Sequence, residues 1–478
     1  MSGTDPDLGL FIAGRWTHGS GNRSVAVQNP ATARAVGELP LATADDLDAA
    51  LTAATDAFPA WRATSPVRRG EILRTAAGLV RERAETIAHA ITRELGKPLR
   101  EARAEIGTAV EHIEWAAEEG RRAYGRVIPS REPGVLQSTR REPLGPIAGF
   151  APWNAPAITP ARKISGALGA GCTLVLKPAE ETPTPALHLV AALEDAGLPP
   201  GVLNVVFGDP AAVSDRLLAA PQIMGATFTG STAVGTLLLG KGAPTAKKMT
   251  MELGGYAPVF VLPDADPEAV ADSAVVATMR NSGQVCTSPS RFYVHADLHE
   301  RFVARFAERA AALRVGDPFD DTVQMGPVAT EARVSAMAEL TADARSRGLT
   351  VAAGGHRVER DGSFWAPTLL AGVDDDAMIA NVEPFGPMAA TTPFHHLDDA
   401  IISANRLPFG LAAYVWSNDL AAVTRLTDAL DAGSISVNRW QASLPETPFG
   451  GMGASGLGME GGIEGLEAFQ RVKYVNHR

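Results

Sequence analysis

The chain of 478 residues has few cysteines, and it lacks long apolar runs and clustered metal ligands. Its 2 cysteines, Cys172 and Cys286, are too few to build a disulfide framework in a chain of this length. No segment approaches the roughly 18 uninterrupted apolar residues that a membrane span needs. The 10 histidines are scattered, and none joins cysteines or carboxylates at metal-ligand spacing. The sequence therefore predicts neither a membrane span nor a metal site.

The chain also lacks an excess of positive charge. Its 43 basic and 54 acidic side chains give a net charge of −11, and no block of Lys or Arg stands out. Nucleic acid and anionic membranes are therefore poor partners. The first ten residues have neither the basic nor the apolar region of a signal peptide, so we expect a cytoplasmic protein.

The composition that is present, with 45% hydrophobic and 20% charged residues, is typical of globular proteins. The length corresponds to two or three domains, which allows an interdomain cleft of the kind that binds small molecules. Two helices are predicted near the amino-terminal end. The first covers residues 43–58 with Thr43 as its cap, and the second begins at Ser65 and ends at Gly96.

From residue 147 onward, short β-prone runs alternate with helical stretches. The β-prone runs cover residues 147–151, 173–177, 203–207 and 226–229, and the helices begin near Thr159, Thr184 and Ala211. This alternation is typical of a parallel, doubly wound sheet. Ligands of such sheets bind beyond the carboxyl ends of the strands, at helix N-termini that favour phosphate groups. A nucleotide is therefore the expected ligand.

A second alternating block runs from residue 258 to about 437 and includes a β-like run at 291–295 and a helix at 299–313. The predicted fold class is α/β, with two doubly wound α/β domains and a small β oligomerisation arm. The arm comprises residues 127–140 and 469–476, which alternate like exposed strands. Because exposed strand edges pair readily, we expect the two segments to pair with each other and with a neighbouring subunit.

The residues around Cys286 favour chemistry at its thiol, but only weakly. Gly283 gives the backbone freedom, and the small neighbours allow a substrate to approach the sulfur closely. A lone cysteine is more often a small buried hydrophobic residue, and Cys172, which enters a predicted core strand, fits that second interpretation. The local sequence leaves both interpretations of Cys286 open.

Further motifs give Cys286 a context. They are Pro152-Trp153-Asn154, Lys177-Pro178-Ala179-Glu180, Phe228-Thr229-Gly230-Ser231-Thr232, Glu252-Leu253-Gly254-Gly255, Glu383-Pro384-Phe385-Gly386-Pro387, Ser436-Val437-Asn438 and Pro448-Phe449-Gly450-Gly451. With these motifs in this order, over nearly the whole chain, the sequence resembles the aldehyde dehydrogenase superfamily, and within it the succinate-semialdehyde dehydrogenase-like group. The resemblance implies an enzyme that oxidises an aldehyde to a carboxylic acid with NAD(P) and forms a homodimer or homotetramer.

The resemblance also implies a division of the chain. An NAD-binding domain is expected at residues 1–123 and 145–251, and a catalytic domain at 252–445. Bridging or oligomerisation segments are expected at residues 124–144 and 446–478.

Three catalytic roles follow from the resemblance. Cys286 is the nucleophile, which forms first a thiohemiacetal and then a thioester, while the Asn154 amide and the Cys286 backbone N–H donate to the oxyanion. Glu252 is the general base that activates the hydrolytic water, and its presence favours water over coenzyme A as acyl acceptor. Read without the resemblance, Asn154 is a cap of the following helix and Glu252 a solvated turn residue.

The resemblance further implies a set of cofactor-binding residues: Lys177 and Glu180 at the adenosine ribose, Gly230 and Ser231 at the pyrophosphate, Glu383 at the nicotinamide ribose, Phe385 at the nicotinamide ring and Trp153 lining the cleft. Their alternative interpretation is polar surface at strand ends. A carboxylate at Glu180 accepts hydrogen bonds from a free 2′-hydroxyl and repels a 2′-phosphate. NAD is therefore the preferred cofactor, and NADP is the alternative.

For the substrate, Arg162, Arg280 and Ser443 match positions at which succinate-semialdehyde dehydrogenases bind the distal carboxylate. Two guanidinium groups suit a short carboxylated aldehyde such as succinate semialdehyde. Each arginine can instead pair with a neighbouring carboxylate, and Trp440 can shape the pocket for an aromatic or other neutral aldehyde. Tyr256 departs from the family, which usually has Lys or Asn there, and this leaves a local packing or hydrogen-bond role in question.

Two functions of other classes stay open. The scaffold can be a non-catalytic binding or structural protein, although the presence of Cys286, Glu252 and Asn154 argues against it. A cysteine hydrolase would need a histidine base, and His295 is the candidate that lies near Cys286 in the sequence.

Overall fold

Two large sheets, one from each half of the chain, contain most of the predicted strands. The protein is described by a computed structural model that covers residues 5–478. The first four residues of the expected NAD-binding domain lie outside the described residues.

The elements of the first half, in chain order, are β1 (Leu10–Ile12), β2 (Arg15–Thr17), β3 (Ser24–Asn29), β4 (Arg34–Pro40), α1 (Ala44–Ala63), α2 (Pro66–Glu82), α3 (Ala84–Leu95), α4 (Leu99–Glu119), β5 (Val127–Ile128), β6 (Leu136–Pro143), β7 (Pro146–Phe150), α5 (Ile158–Ala170), β8 (Thr173–Lys177), α6 (Pro183–Asp195), β9 (Leu203–Val205), α7 (Pro210–Ala219), β10 (Gly225–Thr229), α8 (Thr232–Gly242) and β11 (Lys248–Glu252).

The elements of the second half are β12 (Ala257–Val261), α9 (Pro267–Met279), β13 (Pro289–His295), α10 (Ala296–Ala311), α11 (Glu331–Ser346), β14 (Thr350–Ala353), β15 (Thr368–Ala371), α12 (Met378–Asn381), β16 (Met388–Phe394), α13 (Leu397–Asn405), β17 (Phe409–Gly410), β18 (Ala412–Trp416), α14 (Leu420–Ala429), β19 (Ser434–Val437), β20 (Met452–Gly453), β21 (Gly456–Leu457), α15 (Gly462–Glu467) and β22 (Gln470–His477).

The first sheet has the strand order β2-β1-β9-β8-β7-β10-β11-β21. Its centre, from β9 to β11, is parallel, and the chain winds outward from β7 in both directions. Every residue of β7, β8 and β10 is buried, as expected for strands that helices cover on both faces. Because the winding direction reverses between β7 and β10, a crevice opens beyond their carboxyl ends.

The second sheet has the strand order β14-β15-β16-β13-β12-β18-β19. Its strands are parallel except for the antiparallel pair of β14 and β15. The prediction of two α/β units with parallel sheets is therefore confirmed. The carboxyl-terminal segment returns to the first sheet, because β21 pairs with the edge strand β11.

The predicted amino-terminal helices form with two differences, the first of which is that α1 extends to Ala63, beyond the predicted end at residue 58. Thr43 caps α1 in a capping box, and the Ser65 side chain caps α2. The single helix predicted from Ser65 to Gly96 is wrong, because Arg83 leaves helical geometry (φ −95°, ψ 8°) and separates α2 from α3. The apolar period continues across Arg83, so the pattern carries no signal of the break. No helix within residues 5–478 is long and apolar enough to cross a membrane.

A small sheet forms the predicted arm from β5, β6 and β22. The strand β22 pairs antiparallel with β6 along its full length, from Gln470 opposite Pro143 to His477 opposite Leu136. The predicted pairing of these two distant segments is confirmed, and pairing with a neighbouring subunit stays a prediction. The arm carries the exposed apolar side chains Val127, Leu136, Val472 and Tyr474.

Candidate active site

A cleft with a volume of about 500 Å³ is lined by residues from both halves of the chain. Its walls include the segments that follow β7, β10 and β11. The predicted site residues that line it are Trp153, Asn154, Arg162, Gly230, Ser231, Glu252, Arg280, Cys286, Glu383, Phe385 and Ser443. Among the described residues, Lys177 and Glu180 do not line it.

A loop with unusual backbone geometry carries Cys286 between α9 and β13. Asn281, Ser282 and Gly283 have successive φ angles of 50°, 53° and 73°, all in the left-handed region. Gly283 is required there, because a Cβ would lie 1.9 Å from the carbonyl oxygen of Gly386. Such geometry costs on the order of 1–3 kcal/mol for each non-glycine residue, so surrounding contacts must maintain it.

Buried hydrogen bonds supply those contacts. The backbone N–H of Asn281 donates to Glu101 Oε2 at 2.8 Å, and Ser282 Oγ donates to the carbonyl oxygen of Gly326 at 2.9 Å. Gln284 Nε2 donates to the carbonyl oxygen of Asn281 at 3.1 Å. The loop is therefore fixed by side chains that lie far from it in sequence as well as by its own residues.

Burial raises the pKa of the Cys286 thiol well above its ordinary value, and the Glu252 carboxylate raises it further. Glu252 ends β11, is 3% exposed, and has its own pKa raised by burial. Its Oε1 has no hydrogen-bond partner within residues 5–478. Arg162 lowers the pKa of both groups. The cleft thus holds the Cys286 thiol and the Glu252 carboxyl within range of each other's charge, as a pair that can exchange a proton.

The side chain of Asn154 lies beside the Cys286 loop. Its Nδ2 donates to the carbonyl oxygen of Gln284 at 3.1 Å, which leaves its second N–H free for an oxyanion. The carbonyl oxygen of Asn154 accepts from Asn281 Nδ2 at 3.0 Å and from Lys97 Nζ at 3.3 Å. The alternative of a helix cap does not hold, because Glu105 Oε1 accepts the N–H groups that begin α5, at 2.9 Å from Ala157 N.

The N-terminus of α8 forms one end of the cleft. Ser231 caps this helix by accepting from the Val234 N–H at 3.4 Å, and Gly230 precedes it. Thr229 Oγ1 is buried there without a partner in the described part of the chain. The N–H groups of a first helical turn attract phosphate, and Thr229 offers an unused hydroxyl. This end of the cleft therefore fits the pyrophosphate of a dinucleotide.

Aromatic and acidic side chains also line the cleft. The rings of Trp153 and Phe385 meet edge to face with centroids 5.6 Å apart. Burial raises the pKa of Glu383 to about 8, and Arg333 opposes that rise. A flat ring and a ribose diol can be held by such a pair of aromatic faces and a carboxylate.

Lys177 and Glu180 follow β8 and contact each other. Lys177 Nζ donates to Glu180 Oε2 at 2.6 Å, and Glu180 Oε1 accepts from the Gly208 N–H at 2.9 Å. These contacts fix the orientation of the carboxylate. They also agree with the alternative interpretation of strand-end polarity, so the cofactor role of both residues stays a prediction.

The predicted substrate residues differ in their partners. Arg162 donates to Glu460 Oε2 at 3.3 Å and lies within hydrogen-bond distance of His112 Nε2 at 3.2 Å. Its guanidinium stacks over the Phe449 ring, 5.1 Å from the centroid. Its Nε is buried without a partner in the described part of the chain. Arg280 is exposed, and its guanidinium forms neither an ion pair nor a hydrogen bond within residues 5–478. Ser443 Oγ is buried and equally free of partners in that range.

Trp440 does not line the cleft among the described residues. Its ring packs against two residues of β18, Trp416 at 4.9 Å and Tyr414 at 5.3 Å between centroids. The expectation that it shapes the pocket for an aromatic aldehyde therefore lacks support from its position.

Tyr256 has a structural role. Its hydroxyl donates to the carbonyl oxygen of Ile379 at 2.5 Å, and the Arg291 guanidinium lies 5.3 Å from its ring centroid. The departure from Lys or Asn at this position is thus accommodated by local packing.

His295 accepts from the Asp297 N–H at 3.4 Å at the start of α10 and does not line the cleft, so it is not placed as a base for Cys286.

The sequence did not reveal a buried pair behind the cleft. Lys163 Nζ donates to Glu460 Oε1 at 2.7 Å and to Thr227 Oγ1 at 2.9 Å, and all three side chains are buried. The sequence offered one signal of this pair, the charge of Lys163 in a largely apolar stretch of α5. A sequence pattern does not indicate which residue pairs with it. Lys97 and Asn281, which donate to the Asn154 carbonyl oxygen, and Glu105, which pairs with Lys97, were missed for the same reason.

A sequence profile of the aldehyde dehydrogenase family matches residues 16–475. The chain is 44% identical to 4-(hydroxymethyl)benzenesulfonate dehydrogenase TsaD1 of Comamonas testosteroni, over 98% of each chain. It is 40% identical to succinate-semialdehyde dehydrogenase [NADP(+)] GabD of Escherichia coli (strain K12), over 97% of this chain and 96% of that one. The crystal structure of succinate-semialdehyde dehydrogenase from Burkholderia pseudomallei is 38% identical, with a TM-score of 0.97 over 99% of this chain and 98% of that one.

The activity of the matching family agrees with the residues that line the cleft. The residues at the two ends of the cleft fit a dinucleotide and a nucleophilic thiol, and the matching family oxidises aldehydes with NAD(P). The chain belongs to the aldehyde dehydrogenase family and is an oxidoreductase that oxidises aldehydes with NAD(P).

Proposed function

We propose that this aldehyde dehydrogenase converts a short carboxylated aldehyde, such as succinate semialdehyde, into the dicarboxylic acid. The observation that carries the proposal is a pair of groups that line the same cleft as Cys286 and have no partner within residues 5–478, the Arg280 guanidinium and the Ser443 hydroxyl. A carboxylate accepts charge-assisted hydrogen bonds from such groups.

The names of two relatives support an anionic substrate. GabD is named for succinate semialdehyde, which carries a carboxylate, and TsaD1 for 4-(hydroxymethyl)benzenesulfonate, which carries a sulfonate. In both compounds the anionic group lies away from the carbon that reacts. The name of TsaD1 also favours a second candidate, an aromatic aldehyde, and a cleft of about 500 Å³ has room for a ring.

For the first chemical step, we assign Cys286 as the nucleophile and Glu252 as the base that receives its proton. The sulfur attacks the aldehyde carbon, and the carbonyl oxygen becomes an oxyanion. The free N–H of Asn154 Nδ2 and the Cys286 backbone N–H donate to it. In a site with little water, removing one such donor typically lowers the rate about 100- to 1,000-fold. Bound nicotinamide supplies the acceptor for the hydride that leaves the same carbon.

Before the second step, Glu252 releases the proton of Cys286 to solvent. It then removes a proton from water, and the hydroxide attacks the thioester carbon. The C–S bond breaks, the carboxylic acid leaves, and the proton returns to the Cys286 sulfur. The buried carboxylate with its unpartnered Oε1 supports water as the acyl acceptor. Transfer to coenzyme A would not need this base.

The proposed cofactor preference is NAD over NADP. The Glu180 carboxylate is held by Lys177 and the Gly208 N–H, and it would accept a hydrogen bond from the 2′-hydroxyl of the adenosine ribose. A 2′-phosphate at the same place would meet a negative charge. The preference is proposed in contrast to GabD, which is named for NADP(+).

We also propose a homodimer or homotetramer that acts in the cytoplasm. The exposed apolar side chains of the β5-β6-β22 sheet, such as Val472 at 60% and Tyr474 at 54% exposed, support contact with another subunit.

A substrate screen tests the proposal. Initial rates are measured by NADH or NADPH absorbance with succinate semialdehyde, 4-sulfobenzaldehyde, benzaldehyde and butanal. The proposal expects the highest kcat/KM for succinate semialdehyde with NAD. A highest value for either aromatic compound would favour the second candidate, and a highest value for butanal would contradict an anion pocket.

A further inference from the structure

His112 is a buried polar residue of α4 that belongs to none of the sequence motifs. Two other polar residues of the same helix, Glu101 and Glu105, precede it by about three turns and two turns, so the three side chains share one face of α4. Glu101 accepts from the Asn281 N–H, and Glu105 accepts from the Ala157 N–H. Two of the three side chains thus fix segments of the active site, and the third has a contact of the same kind.

The His112 ring contacts the guanidinium of Arg162. Its Nε2 lies 3.2 Å from Arg162 Nη2. Burial and the charge of Arg162 hold the pKa of His112 well below its ordinary value, so the ring is neutral. Because a guanidinium only donates, Nε2 is the acceptor and Nδ1 carries the ring proton. His112 therefore holds one terminal nitrogen of Arg162 by a charge-assisted hydrogen bond.

Two further contacts hold the Arg162 side chain. Its Nη1 donates to Glu460 Oε2 at 3.3 Å, and its guanidinium lies over the Phe449 ring, 5.1 Å from the centroid. Its buried Nε has no partner within residues 5–478. The orientation of the guanidinium thus depends on one acceptor at each terminal nitrogen and on the ring below. Loss of the His112 ring would leave Nη2 without its acceptor.

Glu460 does not neutralise the charge of Arg162. The Glu460 carboxylate lies closer to Lys163 Nζ, at 2.7 Å, and it also accepts from Thr227 Oγ1 at 3.1 Å. One buried carboxylate therefore faces two cations, and the cluster carries one surplus positive charge. A buried charge is unfavourable unless an opposite charge lies nearby. Because Arg162 lines the cleft, groups of the cleft can supply that opposite charge.

The groups within electrostatic range of the Cys286 thiol come from several elements. The cation among them is Arg162 of α5, and the carboxyls are Glu252 at the end of β11 and Glu383 before β16. Burial and the two carboxyls raise the pKa of the thiol, whereas Arg162 lowers it. Tyr414 of β18 is a neutral phenol, because burial raises its pKa to about 12.

The Glu252 carboxyl lies among charges of both signs. Burial and the Glu460 carboxylate raise its pKa, whereas the hydrogen bond with Cys286 lowers it. Arg162 and Lys163 also lower it. Since Lys163 is paired with Glu460, their effects on Glu252 oppose each other. The surplus charge of Arg162 is therefore the part of the cluster that favours the Glu252 carboxylate.

We propose that His112 is a positioning residue that holds the Arg162 guanidinium in the wall of the cleft. The fixed positive charge there stabilises negative charge on the Cys286 sulfur and on the Glu252 carboxylate. The inference rests on the roles of nucleophile and base that these two residues have in the proposed function. Arg162 then serves the reacting groups, and the distal carboxylate of the substrate is left to Arg280.

Alkylation of Cys286 by iodoacetamide between about pH 7 and 9, without aldehyde or NAD⁺, tests this effect directly. Arg162→Gln should lower the rate roughly three- to tenfold, because the thiolate becomes scarcer while the remaining thiolate is somewhat more nucleophilic. His112→Phe should lower the rate at least about twofold for the same reason. His112→Gln should react like the parent, because its Oε1 can accept from the guanidinium. The same order is expected with Glu252→Gln as background.

His188→Phe is the matched control. His188 is a second buried histidine, which contacts Asp5 from α6 and does not line the cleft, so its replacement should leave the alkylation rate unchanged. If His112→Phe reacts like the parent while Arg162→Gln is slow, the role of His112 is overturned. Equal slowing in His112→Phe and His112→Gln would indicate a packing effect and overturn it as well. Parental rates in both Arg162→Gln and His112→Phe would overturn the whole proposal.

Steady-state kinetics separates this role from substrate binding and from the premise. His112→Phe should lower kcat by the same factor for succinate semialdehyde and for butanal, with KM nearly constant. A rise in KM confined to succinate semialdehyde would mean that Arg162 binds the distal carboxylate, and it would overturn the proposal. The premise has its own test. If Cys286→Ala oxidises aldehydes at the parent rate, the proposed function is wrong whatever the alkylation rates are.

Discussion

Asn281 Nδ2 donates to the backbone oxygen of Asn154 at 3.0 Å and thereby joins the loop of the proposed nucleophile to the loop of the proposed oxyanion donor. The same Nδ2 donates to the Gln284 carbonyl oxygen at 3.1 Å, the oxygen that the Asn154 side chain also contacts. The two loops arise from different sheets, so their relative position depends on this shared network.

Asn281→Gly should separate the two loops without straining the backbone, because glycine adopts the φ angle of 50° at this position freely. We expect kcat to fall about a hundredfold, the effect of a displacement of roughly 1 Å in an active site, with the NAD⁺ dissociation constant unchanged. Asn405→Gly in α13, which removes a side-chain bond to the Ala429 carbonyl, is the control. A kcat like that of the parent would show that the Asn281 bond does not position the site.

Glu252→Gln should leave acyl groups on the enzyme when the reaction is run at alkaline pH, where the Cys286 thiol ionises without the help of Glu252. Without the carboxylate, water attacks the Cys286 thioester slowly, and loss of a general base typically lowers a rate by about 100- to 10,000-fold. Intact-mass measurement after mixing with substrate and NAD⁺ should show the mass of one acyl group per chain, which Cys286→Ala would lack. Rapid turnover without an adduct would refute the assignment of Glu252 as the base for hydrolysis.

The rate at which the Cys286 thiol is alkylated should depend on pH, and the Glu252 carboxylate should shift that dependence. Because its pKa is raised by burial and by Glu252, the thiolate fraction grows only as the pH passes above the ordinary thiol range. Alkylation by iodoacetamide should therefore be slow at pH 7 and accelerate with rising pH. Glu252→Gln removes a negative charge, so it should move the profile to lower pH. Unmoved profiles would contradict electrostatic contact between the two groups.

Cys172 serves as the internal reference for that experiment. It is fully buried, and burial raises its pKa to about 11. Peptide mapping should find alkylation at Cys286 while Cys172 stays unmodified in the folded protein.

Lys163→Met should destabilise the protein, although Lys163 is not one of the predicted site residues. Its ammonium is fully buried against Glu460, and its loss leaves that buried carboxylate with the longer contact to Arg162 at 3.3 Å. The cost should therefore be at most about 3–5 kcal/mol, which is typical when a buried charge loses its partner. Urea unfolding followed by fluorescence measures the loss. Arg301→Met, which breaks an exposed pair with Glu268, is the matched control and should unfold near the parent midpoint. Equal midpoints for both variants would contradict the importance of the buried pair.

The sequence predicted the α/β architecture because alternating apolar runs and helices are local features, and β7, β8 and β10 follow that pattern closely. It predicted candidate site residues such as Ser231 and Cys286, which line the cleft, because each lies in a motif that resembles a known family. It failed at Arg83, where the apolar period continues through a helix break.

The contacts between distant residues could not be predicted. Lys163 and Glu460 pair across the fold, as do Arg162 and Glu460, and nothing in their spacing indicates it. Trp440 lies next to the predicted substrate loop in sequence, but its ring packs into the core. The direction of a side chain depends on tertiary packing, which a sequence pattern does not contain.

Arg280→Ala should change the choice of substrate and leave the chemistry intact. The Arg280 guanidinium is exposed in the cleft without a partner, so its removal leaves no buried acid unpaired and should not unfold the protein. If it binds the distal carboxylate, the KM for succinate semialdehyde should rise roughly ten- to hundredfold, while the KM for butanal stays constant. Arg439→Ala, an exposed arginine that does not line the cleft, is the matched control. Equal effects of Arg280→Ala on both aldehydes would contradict the anion pocket, because Arg162 is already paired with Glu460.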